Sequence, residues 1–132
     1  MNNVQVMIDF SNIDPELELA QLETLTRRVA DELEELTETV APVREAEIPE
    51  GSKPALAGFV LGILQAEVNA KNIKATLDFL GNRFYGKTVK LEYEDGGAKY
   101  SIEYTNPQQL DQAVSAIERL SKIKISVEQA KG

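Results

Sequence analysis

Val4, Val6, Ile8 and Phe10 alternate with more polar neighbours near the start of the chain, the period-two pattern of a strand with one buried face. Asp14-Pro15-Glu16 follows: a capping acceptor, a proline where the first helical turn needs no amide, and an acid at the positive end of the helix dipole. Leu19, Leu22, Leu25, Val29, Leu33 and Leu36 then recur at helical spacing, which predicts a helix to about Leu36 with one apolar stripe. At ~1.5 Å per residue that helix spans about 35 Å, long enough for its outer turns to pack on a second subunit.

A weaker strand is expected from Thr39 to Ile48 (Val40, Ala46, Ile48), with Pro42 placing it at a sheet edge, where a missing amide breaks no ladder bond. Pro49-Glu50-Gly51-Ser52-Lys53-Pro54 marks a loop. Next comes the most apolar run, Ala55 to Leu64, closed by Gln65 and Glu67. It is too short to cross a bilayer and reads as a buried helix. Gly58 and Gly62, four apart, would give that helix a flat face for close packing in the core or in a dimer seam. A break near Asn69 to Asn72 separates it from a further helical pattern, Ile73, Leu77, Leu80 and Phe84, expected to end by Gly81 or Gly86.

The clearest local pattern is a hairpin. A two-residue Gly96-Gly97 turn pairs Tyr93 with Tyr100, Leu91 with Ile102 and Val89 with Tyr104 on one face. It pairs Glu94 with Lys99 and Lys90 with Glu103 on the other. A three-residue loop would set every apolar residue against a polar one. An Asp95-Gly96 turn would keep the parity and lose the charge pairs. Asn106-Pro107-Gln108-Gln109 then opens a last helix, with Leu110, Val114, Ile117 and Leu120 along its buried stripe. From Ile123 the period returns to two (Ile123, Ile125, Val127), which suggests a short final strand at a sheet edge or exchanged with another copy. The expected fold class is α+β, two layers with helices packed on a small mixed or antiparallel sheet, in the order β-α-β-α-α-β-β-α-(β). One domain spans 1–132, with 122–132 a C-terminal extension or extra edge strand.

Composition narrows the chemistry. The 132 residues suffice for one self-supporting core, and 42% hydrophobic with 27% charged residues is ordinary for a globular chain. Neither Cys nor His occurs, so thiolate chemistry, disulfides and the commonest general base and zinc ligand are excluded. No cofactor and no metal site are expected. The net charge is −8, concentrated early: residues 1–70 carry 14 acidic and 4 basic side chains, residues 71–132 carry 8 and 10. Such a chain repels phosphate backbones, which argues against nucleic acid as a partner. Met1-Asn2-Asn3 has no basic leader region, so a cytoplasmic location without a membrane span is expected.

One motif stands against this plain inventory. Residues 81–88, Gly-Asn-Arg-Phe-Tyr-Gly-Lys-Thr, spell G-x-x-x-x-G-K-T. In a phosphate-binding loop a strand enters and a helix leaves, its N-terminus facing the anion. Here a helical pattern precedes the loop and a strand pattern follows it, so Gly81, Gly86, Lys87 and Thr88 mark a helix stop and a strand start. A nucleotide at these four residues is the alternative reading. Arg83, Phe84 and Tyr85 have the composition of an interface hot spot, against the plainer reading that both rings finish the core. Arg27 and Arg28 interrupt an acidic helix face and are a candidate partner contact or a solvated pair.

Taken together, the strand-helix-strand opening, the loop 49–54, the expected apolar helix 55–64, Leu77-Asp78-Phe79-Leu80, Gly86-Lys87-Thr88-Val89 and Asn106-Pro107-Gln108-Gln109-Leu110 resemble the effector-associated constant components of the first class, a family of small bacterial proteins. The likeness covers most of residues 4–121. It implies an accessory role in a bacterial conflict system: an adaptor or sensor without catalysis, working with an effector such as a protease or with a signalling protein. It brings no catalytic residues. A homodimer is compatible with the long first helix. An acidic dimeric chaperone for a secreted partner is the remaining alternative.

Overall fold

The computed structural model describes residues 3–14, 16–44, 55–56, 59–104, 117 and 120–128. Its first strand, β1 (Asn3–Asn12), buries Val4, Val6, Ile8 and Phe10 on one face, as the alternation predicts. Helix α1 (Leu19–Leu33) turns Leu22, Thr26, Val29 and Leu33 inward. It begins later than Asp14: the Glu18 amide donates to Gln21 Oε1 at 2.9 Å, while Asp14 takes the Glu16 amide in a local turn at 2.9 Å. Pro15 lies outside the described residues. The helix stops three residues before Leu36, where the Leu36 amide turns back to the Leu33 carbonyl.

Among the described residues, strand β2 (Thr39–Arg44) lies at the edge of the sheet, with Pro42 in it as expected. Residues 45–48 of the expected strand lie outside the described residues. Residues 49–54, the expected loop, also lie outside the described residues, and the described part of the apolar run after them is not a helix. It forms the short β3 (Ala55–Leu56) and β4 (Phe59–Asn69), the latter antiparallel to β1 from Asn3↔Asn69 to Asp9↔Ile63. Leu64, Ala66 and Val68 join the main core, whereas Val60 and Ile63 form a second cluster with Val43, against which Met7 packs. A strand covered on both faces loses its alternation and reads as an unbroken apolar run. Such a run cannot be told from a buried helix by periodicity alone.

Gly62 corrects the helix-packing reading in detail; Gly58 lies outside the described residues. Val60 and Ile63 share a face although their spacing is odd, and β4 is irregular there: two steps along β2, Pro42 to Arg44, correspond to five along β4, Leu64 to Phe59. Gly62 is the residue that makes this possible, at φ +81°, and a Cβ there would lie 2.7 Å from Ser11 Cα.

A single 3-10 turn, Ala70–Asn72, leads into α2 (Ile73–Arg83) at the break the sequence suggests. Ile73, Leu77 and Leu80 are buried. Gly81 does not stop this helix; it is buried within its last turn, and the left-handed residue is Gly86, at φ +87°. Strands β5 (Thr88–Asp95) and β6 (Ala98–Tyr104) then form the hairpin in the register read from the sequence, Tyr93↔Tyr100, Leu91↔Ile102, Val89↔Tyr104, Glu94↔Lys99 and Lys90↔Glu103. Gly96 and Gly97 both have positive φ (62° and 86°), the requirement of a two-residue type I′ turn. Of the expected last helix, Ile117 is helical and fully buried; residues 106–116 lie outside the described residues.

The last strand, β7 (Lys122–Glu128), is neither an extension nor an edge. It lies parallel to β1 and antiparallel to β5 in the sheet order β2-β4-β1-β7-β5-β6, with β3 paired to β4 beside this path. Ile123, Ile125 and Val127 fill the core under the helices, and Lys122 and Lys124 face away. The fold is therefore α+β in two layers, a mixed sheet with α1 and α2 on one face.

Candidate functional site

Two surfaces of this frame carry side chains whose chemistry is not consumed by folding. The first is the rim where the ends of α1 and α2 meet. Arg83, in the last turn of α2, places Nε 2.9 Å from Glu32 Oε2 and 3.2 Å from Oε1, which ties the two helices together across 51 residues of sequence. Its guanidinium also lies 5.7 Å from the centroid of the Phe84 ring. Phe84 itself is buried, 5.5 Å from Phe10 between ring centroids. It completes the core rather than facing a partner.

Tyr85 goes the other way. It is 87% exposed, on a turn closed by a Lys87 amide bond to the Phe84 carbonyl at 3.0 Å and followed by left-handed Gly86. Arg28 lies one turn before Glu32 on α1, so the helix sets both on the same side. Arg27 is exposed and paired with Glu23 on its own helix at 2.6 Å. The structure thus brings Arg83 beside Glu32, within one turn of Arg28; it removes Phe84 from the set and leaves Arg27 as an exposed helical ion pair. Glu32 was hidden at the sequence level among the acids of α1, since its partner is remote in the chain.

The segment 81–88 has the element order that its flanking patterns predict. Helix α2 precedes it and β5 begins at Thr88. Gly81 is packed inside α2, and Lys87 lies in the turn between the two elements. Thr88 opens a strand and not a helix, so the backbone amides of this stretch are not gathered before a helix N-terminus as a phosphate cradle needs.

The second surface is the face of the sheet opposite α1 and α2, free of helix among the described residues. Ser101, Glu92, Lys124, Met7, Gln65 and Ala41 form one continuous row across six strands. A neighbouring row runs Glu103, Lys90, Ser126, Asp9 and Ile63, of which the last three are buried. Within it Asp9 Oδ1 accepts the Ser11 hydroxyl at 2.6 Å and the Ser11 amide at 3.0 Å. A shallow depression of about 300 Å³ lies over Gln5, Met7, Gln65 and Glu67. Lysines and carboxylates interleave here, as in Lys90–Glu92 at 3.7 Å, so no single sign of charge builds up to attract a polyanion.

On the opposite face of the hairpin, Tyr93 and Tyr100 stack with ring centroids 5.1 Å apart, and Tyr100 is 46% exposed. The cross-strand pairing of these tyrosines is legible in the sequence; their remaining exposure is not. Among the described residues no group of three or more acidic side chains is placed to hold a metal ion, and no helix is long and apolar enough to cross a membrane. Comparison with protein-family models, curated proteins and solved structures finds no match to this chain.

Proposed function

We propose that this chain is a non-enzymatic interaction module, an adaptor or sensor that works with an effector or signalling protein of a bacterial conflict system in the cytoplasm. The observation that carries the reading is Tyr85, 87% exposed between buried Phe84 and left-handed Gly86. A large aromatic ring in water serves no purpose in the core. Its backbone is held on both sides, so little chain entropy remains to be lost when a partner covers it. Tyrosine and arginine are the side chains that dominate protein interfaces, and Arg28 and Arg83 lie on the same rim. The likeness of residues 4–121 to the effector-associated constant components supplies the class of partner.

The test is recovery of the partner from the native host with tagged wild-type protein and with Tyr85→Ala and Arg28→Glu. Both variants should stay folded and lose the protein that co-purifies with the wild type, a loss of at least tenfold for Tyr85→Ala (~1.4 kcal/mol). Undiminished recovery with both variants would move the contact away from this rim. A turnover or ligand traced to the chain itself would replace the adaptor reading altogether.

A further inference from the structure

The register of the β5–β6 hairpin determines which backbone groups its free edge offers. A two-residue turn is closed by a hydrogen-bonded pair, here Asp95↔Ala98. Antiparallel pairs then alternate between bonded and non-bonded. Tyr100, Ile102 and Tyr104 therefore spend their amides and carbonyls on β5, and Lys99, Ser101 and Glu103 aim theirs outward. Among the described residues β6 pairs with β5 alone. Its seven residues contain no proline, unlike β2 at the other edge. An edge of this length with unpaired groups is a template for another strand.

We propose that the strand it takes is β6 of a second copy, antiparallel, about a twofold axis through Ser101. In that register Ser101 faces Ser101 of the second copy, and Lys99 faces Glu103 on both sides of the axis. All three are the outward residues, so the bonds fall in phase and give six backbone hydrogen bonds. The charges continue the intrachain pattern: Glu94, Lys99, then Glu103 and Lys90 of the second copy form a row of alternating sign, twice over. On the helix-bearing face Tyr100, 46% exposed, meets Ile102 of the second copy and extends the Tyr93–Tyr100 stack.

Moving the axis to Tyr100 or to Ile102 also keeps the bonds in phase, but each shift sets both Lys99 and Glu103 against uncharged residues. A palindromic charge pattern centred on an outward-facing residue is what an isologous twofold contact requires. The result is one sheet running through both copies. Two seven-residue edges cover less than the ~1,600 Å² of a standard interface, so the dimer dissociates on dilution. None of Arg28, Glu32, Arg83 or Tyr85 takes part, and the inference does not rest on the adaptor reading.

Sedimentation equilibrium and light scattering between about 10 μM and 1 mM read the contact directly. Wild-type protein should pass from monomer to dimer mass, and Tyr85→Ala should do the same. Ser101→Pro removes an outward amide and leaves the β5 ladder intact; it should weaken association at least tenfold, with an unchanged far-ultraviolet circular dichroism spectrum. Lys99→Glu and Glu103→Lys test register without a backbone change. Each alone sets like charges across the axis and should be monomeric, whereas their equimolar mixture restores both opposite-charge pairs and should form a heterodimer. Wild-type mass that stays monomeric across the range overturns the proposal. So does a dimer that survives Ser101→Pro, or a pair of charge variants that gain nothing on mixing.

Discussion

Phe84 and Tyr85, adjacent in the chain, meet opposite environments, and truncation should separate them. Phe84→Ala empties a core site against Phe10 and should cost about 3–5 kcal/mol in urea unfolding. Tyr85→Ala removes a ring that folding does not use and should stay within about 0.5 kcal/mol of wild type. Gly62 and Thr26 form a second residue-scale test. Thr26 Oγ1 accepts the Gly62 amide at 2.9 Å and donates to the Leu22 carbonyl at 2.7 Å, so one hydroxyl joins α1 to the bulge of β4. Thr26→Val keeps the shape and leaves the Gly62 amide without that acceptor. A loss of about 1–3 kcal/mol is expected, most of it recovered in Thr26→Ser. Gly62→Ala is harsher, since a Cβ would press on Ser11 Cα in a left-handed backbone. It should cost about 2–4 kcal/mol, read from the same denaturation curves.

At the scale of elements, the join between α2 and β5 determines how 81–88 behaves. A helix end followed by a strand start presents a helix C-terminus, and the amides of β5 point sideways to β6 and β7 instead of around an anion. Calorimetric titration with millimolar ATP-Mg²⁺ or GTP-Mg²⁺ is expected to give no binding heat, and Lys87→Ala to leave the melting temperature unchanged. Saturable binding that Lys87→Ala removes would bring the nucleotide reading back. The hairpin was legible to the residue because its signal is local: a Gly-Gly turn, alternation and opposite charges all agree on one register. β4 was not legible. Its apolar face under the helices and the Val60–Ile63 face opposite are both covered, which erases the polar half of a strand pattern. Phe59, Val60, Ile63 and Val68 supply the β-branched and aromatic content that favours a strand over a helix at similar hydrophobicity.

Over the whole molecule, β7 is the strand that makes one sheet of two parts. β2, β4 and β1 lie on one side of it and β5 and β6 on the other. The two parts are thus hydrogen-bonded to each other through the chain's last strand, and the β1–β7 pairing closes a loop from Gln5↔Lys122 onward. Contacts so distant in sequence form only after most of the chain has been ordered. A chain ending at Leu120 should therefore fail to give the cooperative unfolding transition and dispersed NMR spectrum of the 132-residue chain. An extension or edge strand, removed the same way, would leave both largely intact. The candidate rim has the same non-local origin. Arg83 and Tyr85 stand out by composition, yet which ring faces water and which carboxylate holds Arg83 depend on packing across 51 residues.

Period and turn chemistry alone determined β1, the stripe of α2 and that of α1 from Leu22 onward (Leu19, its expected first member, is exposed), the edge position of β2 and the full register of the β5–β6 hairpin. Each of these has a wet side and a dry side, or a turn that only one residue pair can make, and that contrast is written along the chain. Tertiary structure decided the rest: that 55–56 and 59–64 are strand, that Gly62 bulges beneath Thr26, that Gly81 sits inside α2, and that β7 takes the centre of the sheet. A segment covered on both faces shows no solvent side to read. A strand's own residues set its pleat but not its neighbours, which are chosen by the other strands that need a partner.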